Sequence, residues 1–397
     1  MSMKPAAERV QVLVVGAGPV GLFAALCAAK RGLHVLVIDH VWRGYASGHA
    51  SLLHTGFLDL LEDGPLLRKL KADGHTLDRV AVHVDGTEVA ACELPAPALV
   101  VPQSVLEGAL LSELRALDVE VRTPHQAATI EQHAGHVDVR VLRRELVTSG
   151  SPALRSEWEP VESMLVQADF VVGADGYDSR VRSALGIDVV EVGALESFAI
   201  FEVSGHAEAR SSASLLFNES VGSLLLPLPN GRFRWALQLS DSLDSTPDIE
   251  LLRSLLKARP PAHAEEIDHV DWSTVMHFER RLARGFGKGR VWLAGDAAHV
   301  TNPFGAQSMN VGLQEAHTLI GRIADALQGR NGHGSLERYA AEYEREWHKL
   351  FGINVRFDLA PNAPRWLSTY ARRIVPALPA SGPDLEKMLG QLGLRLS

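Results

Sequence analysis

VQVLVVGAGPVGLFAALCAAKRGLHVLVID, residues 10–39, reads as one strand, a glycine-rich turn, a helix and a second strand. Val12 to Val15 is an unbroken apolar run, suited to a strand buried on both faces of a parallel sheet. Ala24 to Ala29 is helix-forming, and Gly32 stands where a helix stop is needed before the next apolar run, Val35 to Ile38. Gly16, Gly18 and Gly21 therefore fall at the strand-to-helix turn. That spacing is weak evidence by itself, but Asp39 follows roughly 20 residues on, at the end of the second strand, and completes a dinucleotide fingerprint. The first glycine permits the tight turn, the second lets backbone approach a pyrophosphate, and the third lets the helix pack against the strand. The helix start adds N–H groups and positive dipole, and Asp39 is placed to accept both hydroxyls of an adenosine ribose.

Outward from this unit, FLDLLEDGPLLRKL has a helical pattern and LVVPQSVLEGALLSEL a shorter strand–helix pair. VDVRVLRREL and SEWEPVESMLVQADFVVGADG are strand-like, the second ending in the apolar run Phe170 to Val172. From about Gly193 to Phe278 the pattern alternates, as in SFAIFEVSG, SLLLPLPNG and RFRWALQLS, which predicts antiparallel strands, with PDIELLRSLLKA as one covering helix. The chain then returns to the first sheet at RVWLAGDAAH and closes in long helical stretches. The expected fold class is α/β (α+β): a Rossmann-like domain with a parallel sheet over 1–192 and 279–330, an antiparallel-sheet domain over 193–278, and a C-terminal helical segment over 331–397.

Among 397 residues, 46% hydrophobic and 22% charged describe an ordinary globular chain, long enough for two or three joined domains. A formal charge of −9 without any Lys/Arg block argues against a nucleic-acid surface. Cys27 and Cys92 lie far apart, which disfavours a redox disulfide and fits a reducing cytoplasm. The short, glycine-interrupted apolar run near the start is read as a strand and no signal peptide, and no run approaches the ~18 apolar residues of a membrane helix. No His/Cys/Asp cluster is read as having metal-ligand spacing, so no metal is expected, and no G-x-S-x-G elbow is present.

Two further motifs share the geometry of the first. DFVVGADGYDSRVRSALG puts Asp175 and Gly176 after a strand, and GRVWLAGDAAHVTNPFGAQSMNVG, residues 289–312, puts Gly295 and Asp296 after another, Arg290 to Ala294. A carboxylate at the end of a buried strand costs several kcal/mol unless a partner takes its charge or hydrogen bonds. The three motifs together resemble the single-component flavoprotein monooxygenases of the p-hydroxybenzoate hydroxylase type, over roughly Val10 to Ala326.

The resemblance implies non-covalent FAD, with the glycine fingerprint on its ADP part and Asp175 where FAD and a transient NADPH or NADH both pass. It implies that Asp296 hydrogen-bonds a ribityl hydroxyl, and that Pro303, Phe304, Gly305, Ala306, Gln307, Ser308, Met309 and Asn310 lead into a helix aimed at the flavin N1 and C2 carbonyl. That helix start, with Pro303 and Gly305 as the catalytic candidates, stabilises the flavin anion. Gln103 matches a position that contacts FAD. Ser308 stands where the family usually has glycine. Family arginines between Asp39 and Leu61 are missing, their equivalents being His49 and Gly56, and Arg43 is the expected substitute. His49 and His54 are read as solvated loop histidines, with contact to flavin or substrate as the alternative. His299 is read as structural rather than as a base.

In RFRWALQL, Phe233 and Trp235 share one face and Arg232 and Arg234 the other, and which face meets the flavin is left open. Phe201, Phe217 and Trp235 are the candidates for an aromatic substrate pocket. The implied activity is NAD(P)H- and O2-dependent hydroxylation of a phenolic or polyketide-like aromatic through a flavin C4a-hydroperoxide, by a cytoplasmic monomer or homodimer with no nucleic-acid or membrane partner. Alternatives are a same-fold reductase and a non-oxygenating FAD-binding protein that shelters an intermediate. A halogenase is disfavoured, since its Trp-x-Trp-x-Ile-Pro segment and lysine are not where expected. Ending at Ser397, the chain is expected to lack the thioredoxin-like C-terminal domain of longer phenol hydroxylases.

Overall fold

The structure, a computed structural model, describes residues 7–41, 50–149, 155–205, 211–240, 247–258, 267–330 and 334–396. Its first sheet is built on Glu8–Val15, which pairs in parallel with Val35–Ile38 on one side and with the end of Arg155–Gly173 on the other. Val291–Leu293 joins that last strand in parallel, and Glu120–Arg122 joins Val35–Ile38. All four residues Val12 to Val15 are buried, as an apolar run between two layers requires. Pro19–Lys30, capped by no side chain and entered through Pro19, packs on this sheet beside the long helix Gln307–Leu327. A long hairpin, Val137–Ser149 with Arg155–Gly173, extends the same sheet in antiparallel fashion.

The second sheet has eight strands in the order Ile267–Phe278, Glu196–Gly205, Arg232–Leu239, Gly222–Pro227, Ser212–Phe217, His75–Val84, Thr87–Pro102, Ala50–Leu53. All its pairs are antiparallel except Ser212–Phe217 with His75–Val84, where Leu215 stands opposite Val82. The expected boundary at residue 193 is therefore corrected: three strands from residues 50–102 belong to this sheet. The C-terminal segment is mainly helical, with Gly334–Phe351, Arg365–Ile374 and Gly382–Leu392, but it also holds a small pair, Phe357–Leu359 with Leu394–Leu396.

Two apolar cores result. The larger runs through the first sheet, its helices and one face of the second sheet; the smaller holds Phe201, Phe233 and Trp235 under Leu252 and Leu256 of the helix Ile249–Lys257. No helix among the described residues is long and apolar enough to cross a membrane.

Candidate active site

The glycine turn is held by contacts that only glycine tolerates. Gly16 has φ +113°, and a Cβ there would lie 2.1 Å from the Ala174 carbonyl oxygen; one on Gly21 would lie 1.9 Å from that of Gly16. Gly18 is the cap residue of the following helix, whose first-turn N–H groups have no side-chain acceptor. Asp39 is buried, and its carboxylate accepts from the Ala17 N–H at 2.7 Å and the Val41 N–H at 2.9 Å. It thereby ties the second strand to the turn. Gly16 and Asp39 open onto a cavity of about 250 Å³ that Arg144, Asp175 and Arg180 also line. The two arginines bring positive charge to this end; no spacing marks Arg144, which lies on the hairpin, so sequence reading missed it.

Asp175 spends its carboxylate on the protein. It accepts from the Ser179 hydroxyl at 2.5 Å and from the Arg180 and Val181 N–H groups at 2.7 and 3.1 Å, which caps the short helix Arg180–Ala184. Burial pushes its carboxyl above the ordinary range, against those three donors. Arg182, from the same helix, donates to the Ala297 carbonyl at 2.9 Å and so joins the second motif to the third.

The third motif turns on Gly295, with φ +65°, at the start of a single tight turn, Gly295–Ala297. Its N–H donates to Glu315 Oε2 at 2.8 Å; His299 Nε2 donates to the same oxygen at 2.8 Å, and Trp347 Nε1 donates to Glu315 Oε1 at 2.9 Å. The His299 ring stacks on Trp347 with centroids 3.8 Å apart, and the side chains of His299 and Glu315 are wholly enclosed. His299 is thus structural, as read. Glu315 and Trp347 were missed: they lie 20 and 52 residues from Gly295 on helices whose pattern marks only their apolar face.

Asp296 itself lies open to a second cavity of about 310 Å³, rather than buried in the strand end. The protein mass around it raises its carboxyl above the usual carboxylate value, with His299 and Ser308 drawing it down and Glu315 adding to the rise. Gln103, Pro303, Ser308 and Met309 line the same cavity. Gln103 opens the helix Gln103–Ala116 and donates to Glu107 at 2.9 Å. The long helix begins at Gln307 behind Ala306, which takes the left-handed conformation at φ +50°, and no side chain caps it. Its first N–H groups thus have no side-chain acceptor, and Ala306, Ser308 and Met309 of this turn line the cavity.

Two members of that segment face elsewhere. Asn310 is fully buried: Oδ1 accepts from the His54 N–H at 2.7 Å, and Nδ2 donates to the Leu52 and Ala306 carbonyls at 2.7 and 2.8 Å. It sews the strand Ala50–Leu53 to the helix instead of reaching the cavity. A Cβ on Gly305 would lie 2.4 Å from the Pro376 carbonyl oxygen, so this glycine lets the C-terminal segment close over the loop. His54 corrects the solvated reading: it is buried, its Nε2 donates to the Gly305 carbonyl at 2.8 Å, and burial pulls its imidazole down to about 4. Arg43 and His49 lie outside the described residues.

The opposite wall decides the open question about RFRWALQL. Arg234 and Ala236 face the cavity, with Ile200, Leu224, Leu226 and Met276 from neighbouring strands. Arg234 is buried and pairs with Glu202 at 2.5 Å. Phe201 and Trp235, cross-strand partners, point to the other face and pack under the covering helix, so they are removed from the substrate candidates. Phe217 lies outside this cavity too, in the wall of a neighbouring one.

His133, His136 and Asp138 correct the expectation that no metal-type cluster exists: their ligand atoms come within 4.8 Å of one another at the tip of a hairpin. Asp138 lies 3.1 Å from His136 Nε2 and 3.5 Å from His133 Nε2, so the three satisfy one another.

The residues fit the FAD that the resemblance implies: a glycine cradle without room for Cβ, an acidic residue at the end of the second strand, and an uncapped helix over a cavity. The sequence profile of the FAD binding domain family matches residues 9–350. The 6-methylpretetramide 4-monooxygenase of Streptomyces rimosus is 30% identical over 352 residues, which cover 86% of this chain and 60% of that protein. Rifampicin monooxygenase of Streptomyces venezuelae is 26% identical over 343 residues, 83% of this chain and 67% of its own. The chain thus spans well under two thirds of the first relative's length. Among solved structures, the substrate-free rebeccamycin biosynthetic enzyme superposes with TM-score 0.65 at 26% identity, covering 94% of this chain and 73% of that one. The p-nitrophenol 4-monooxygenase of Pseudomonas putida DLL-E4 shares the fold, with TM-score 0.70 at 22% identity, 95% of this chain and 91% of that one. Motifs, fold and profile agree: the chain belongs to the FAD binding domain family of p-hydroxybenzoate hydroxylase-type flavoproteins.

Proposed function

We propose that this protein is an FAD-dependent monooxygenase that uses NADPH or NADH and O2 to hydroxylate an electron-rich aromatic ring of phenolic or polyketide-like type. One observation carries the reading: the Asp296 and Pro303–Met309 segments form one wall of a cavity whose other wall is the apolar face of the second sheet. FAD, when bound, would supply the oxygen-activating chemistry. The chain's residues do the rest. Gly16, Gly18 and Asp39 hold the adenosine end, and Asp296 accepts from a ribityl hydroxyl. The open N–H groups at the start of Gln307–Leu327 favour negative charge on the ring system. Ile200, Leu224, Leu226, Ala236 and Met276 exclude water and hold the substrate ring by apolar contact.

The relatives' names point the same way: both are monooxygenases, one of 6-methylpretetramide and one of rifampicin. The test is a visible spectrum of the purified protein, followed by NADH and NADPH oxidation with a panel of phenols and fused-ring aromatics. Flavin bands with oxidation stimulated by a ring support the reading. Flavin bands with no stimulation by any ring favour the reductase or sheltering alternatives.

A further inference from the structure

Behind Asn302 and Phe304 lies a separate cavity of about 400 Å³ that shares those two residues with the Asp296 cavity as a common wall. Its lining is unlike that of its neighbour. Phe217, Phe304, Phe351 and Phe357 supply aromatic surface, and the same lining carries three guanidiniums, Arg280, Arg372 and Arg373, and one carboxylate, Glu196.

That carboxylate is already in demand. It accepts from Gln238 Nε2 and Asn302 Nδ2, each at 3.0 Å, and stands 3.7 Å from Arg280 Nε. Arg373 lies over the Phe217 and Tyr370 rings, and its Nη1 donates to the Asn218 carbonyl at 2.6 Å. Its Nη2 is enclosed and has no hydrogen-bond partner among the described residues; Arg280 Nε is in the same position. Desolvation pulls Arg373 below the ordinary guanidinium value, with Tyr370 and Glu196 opposing. Arg372 covers the Phe357 ring. An enclosed charged donor without an acceptor is costly, and guanidiniums set over aromatic faces are suited to a planar acid that stacks and accepts in the same plane.

We propose that this chamber binds the acidic end of the substrate, so that the ring oxidised is part of an aromatic acid or ionised enol whose anion lies against Arg373 and Arg280. The assignment rests on the monooxygenase reading for the word substrate, while the anion site itself can be measured by binding alone. Asn302 and Phe304 line both chambers, so a substrate that reaches both would have its ring in the Asp296 cavity and its acid on the far side of those two side chains.

The test uses the FAD-loaded protein and two probes of equal shape, 3-hydroxy-2-naphthoate and its neutral carboxamide, titrated by flavin difference spectra and calorimetry. The acid is expected to bind at least tenfold tighter than the amide. Arg373→Gln should abolish that preference while FAD content and melting temperature hold, and Arg372→Gln, at a more exposed position, should reduce it. Equal binding of acid and amide, detectable binding of neither, or an undiminished preference in both variants overturns the proposal. Charge-selective binding without ring-stimulated NAD(P)H oxidation leaves the anion site standing and sinks the monooxygenase reading. Stimulation without charge selectivity does the reverse.

Discussion

Glu315 holds Gly295 from 20 residues away: its Oε2 accepts the Gly295 N–H at 2.8 Å, and that backbone bond aims Asp296 into the cavity. The same carboxylate serves His299 and Trp347. Glu315→Ala leaves three enclosed donors without an acceptor, at about 1–3 kcal/mol each. The melting temperature should fall sharply and the purified protein should lose flavin. Glu315→Gln should fall between, since its amide sets a donor against one of the three. A normal melt and full flavin content in the alanine variant would show that the clamp does not position the motif.

His54 predicts a pH dependence. Its folded value of about 4 lies below the ordinary 6.5, so the unfolded chain binds its proton first as pH falls. Stability from this group is complete above pH 6.5, declines between 6.5 and about 4, and changes no further below that; the total is about 3 kcal/mol. Chemical denaturation across that window should show the decline in the native protein and a flatter profile in His54→Gln.

The two faces of Arg232–Leu239 should separate binding from stability. Ala236→Phe adds a ring to the cavity and should raise KM for an aromatic substrate at least tenfold with little change in melting temperature. Trp235→Ala empties the smaller core at a cost of about 3–5 kcal/mol and should leave KM near normal in whatever protein folds. The reverse assignment of effects would mean that the other face meets the substrate.

How much of this was legible in the sequence depended on range. The glycine turn, the Asp39 strand end and the Gly295–Asp296 motif are local: each is a spacing of a few residues beside an apolar run, so the chemistry of the turn is written where it acts. The strand His75–Val84 was missed, and the strand read at Leu99–Pro102, the end of Thr87–Pro102, was not placed in the second sheet, because that place is set through Ser212–Phe217, more than a hundred residues on. The facing of Arg234 and Trp235 could not be read from alternation, since both faces of that strand are enclosed. The helix Ile249–Lys257 decides it, by covering one of them. Asn310 and His54 were legible as motif neighbours yet not in role, because each is consumed by a partner some 250 residues distant.

Asp296→Ala should weaken FAD binding at least tenfold, the loss of about 1.4 kcal/mol. The FAD-free protein should be no less stable than its parent, because the protein around Asp296 holds its carboxyl above the ordinary range. Flavin titration followed by fluorescence quenching, with melts of both FAD-free proteins, measures the two effects. Unaltered FAD affinity would remove Asp296 from the ribityl contact.

If the proposed function holds, one atom of O2 reaches an aromatic ring in the cavity between Pro303–Met309 and the second sheet. The most direct measurement is turnover of a ring that stimulates NAD(P)H oxidation under 18O2, with mass analysis of the product. One labelled oxygen on the ring is expected, and none when the label is supplied in water. NAD(P)H oxidation that yields only hydrogen peroxide, with the ring recovered unchanged, would contradict it.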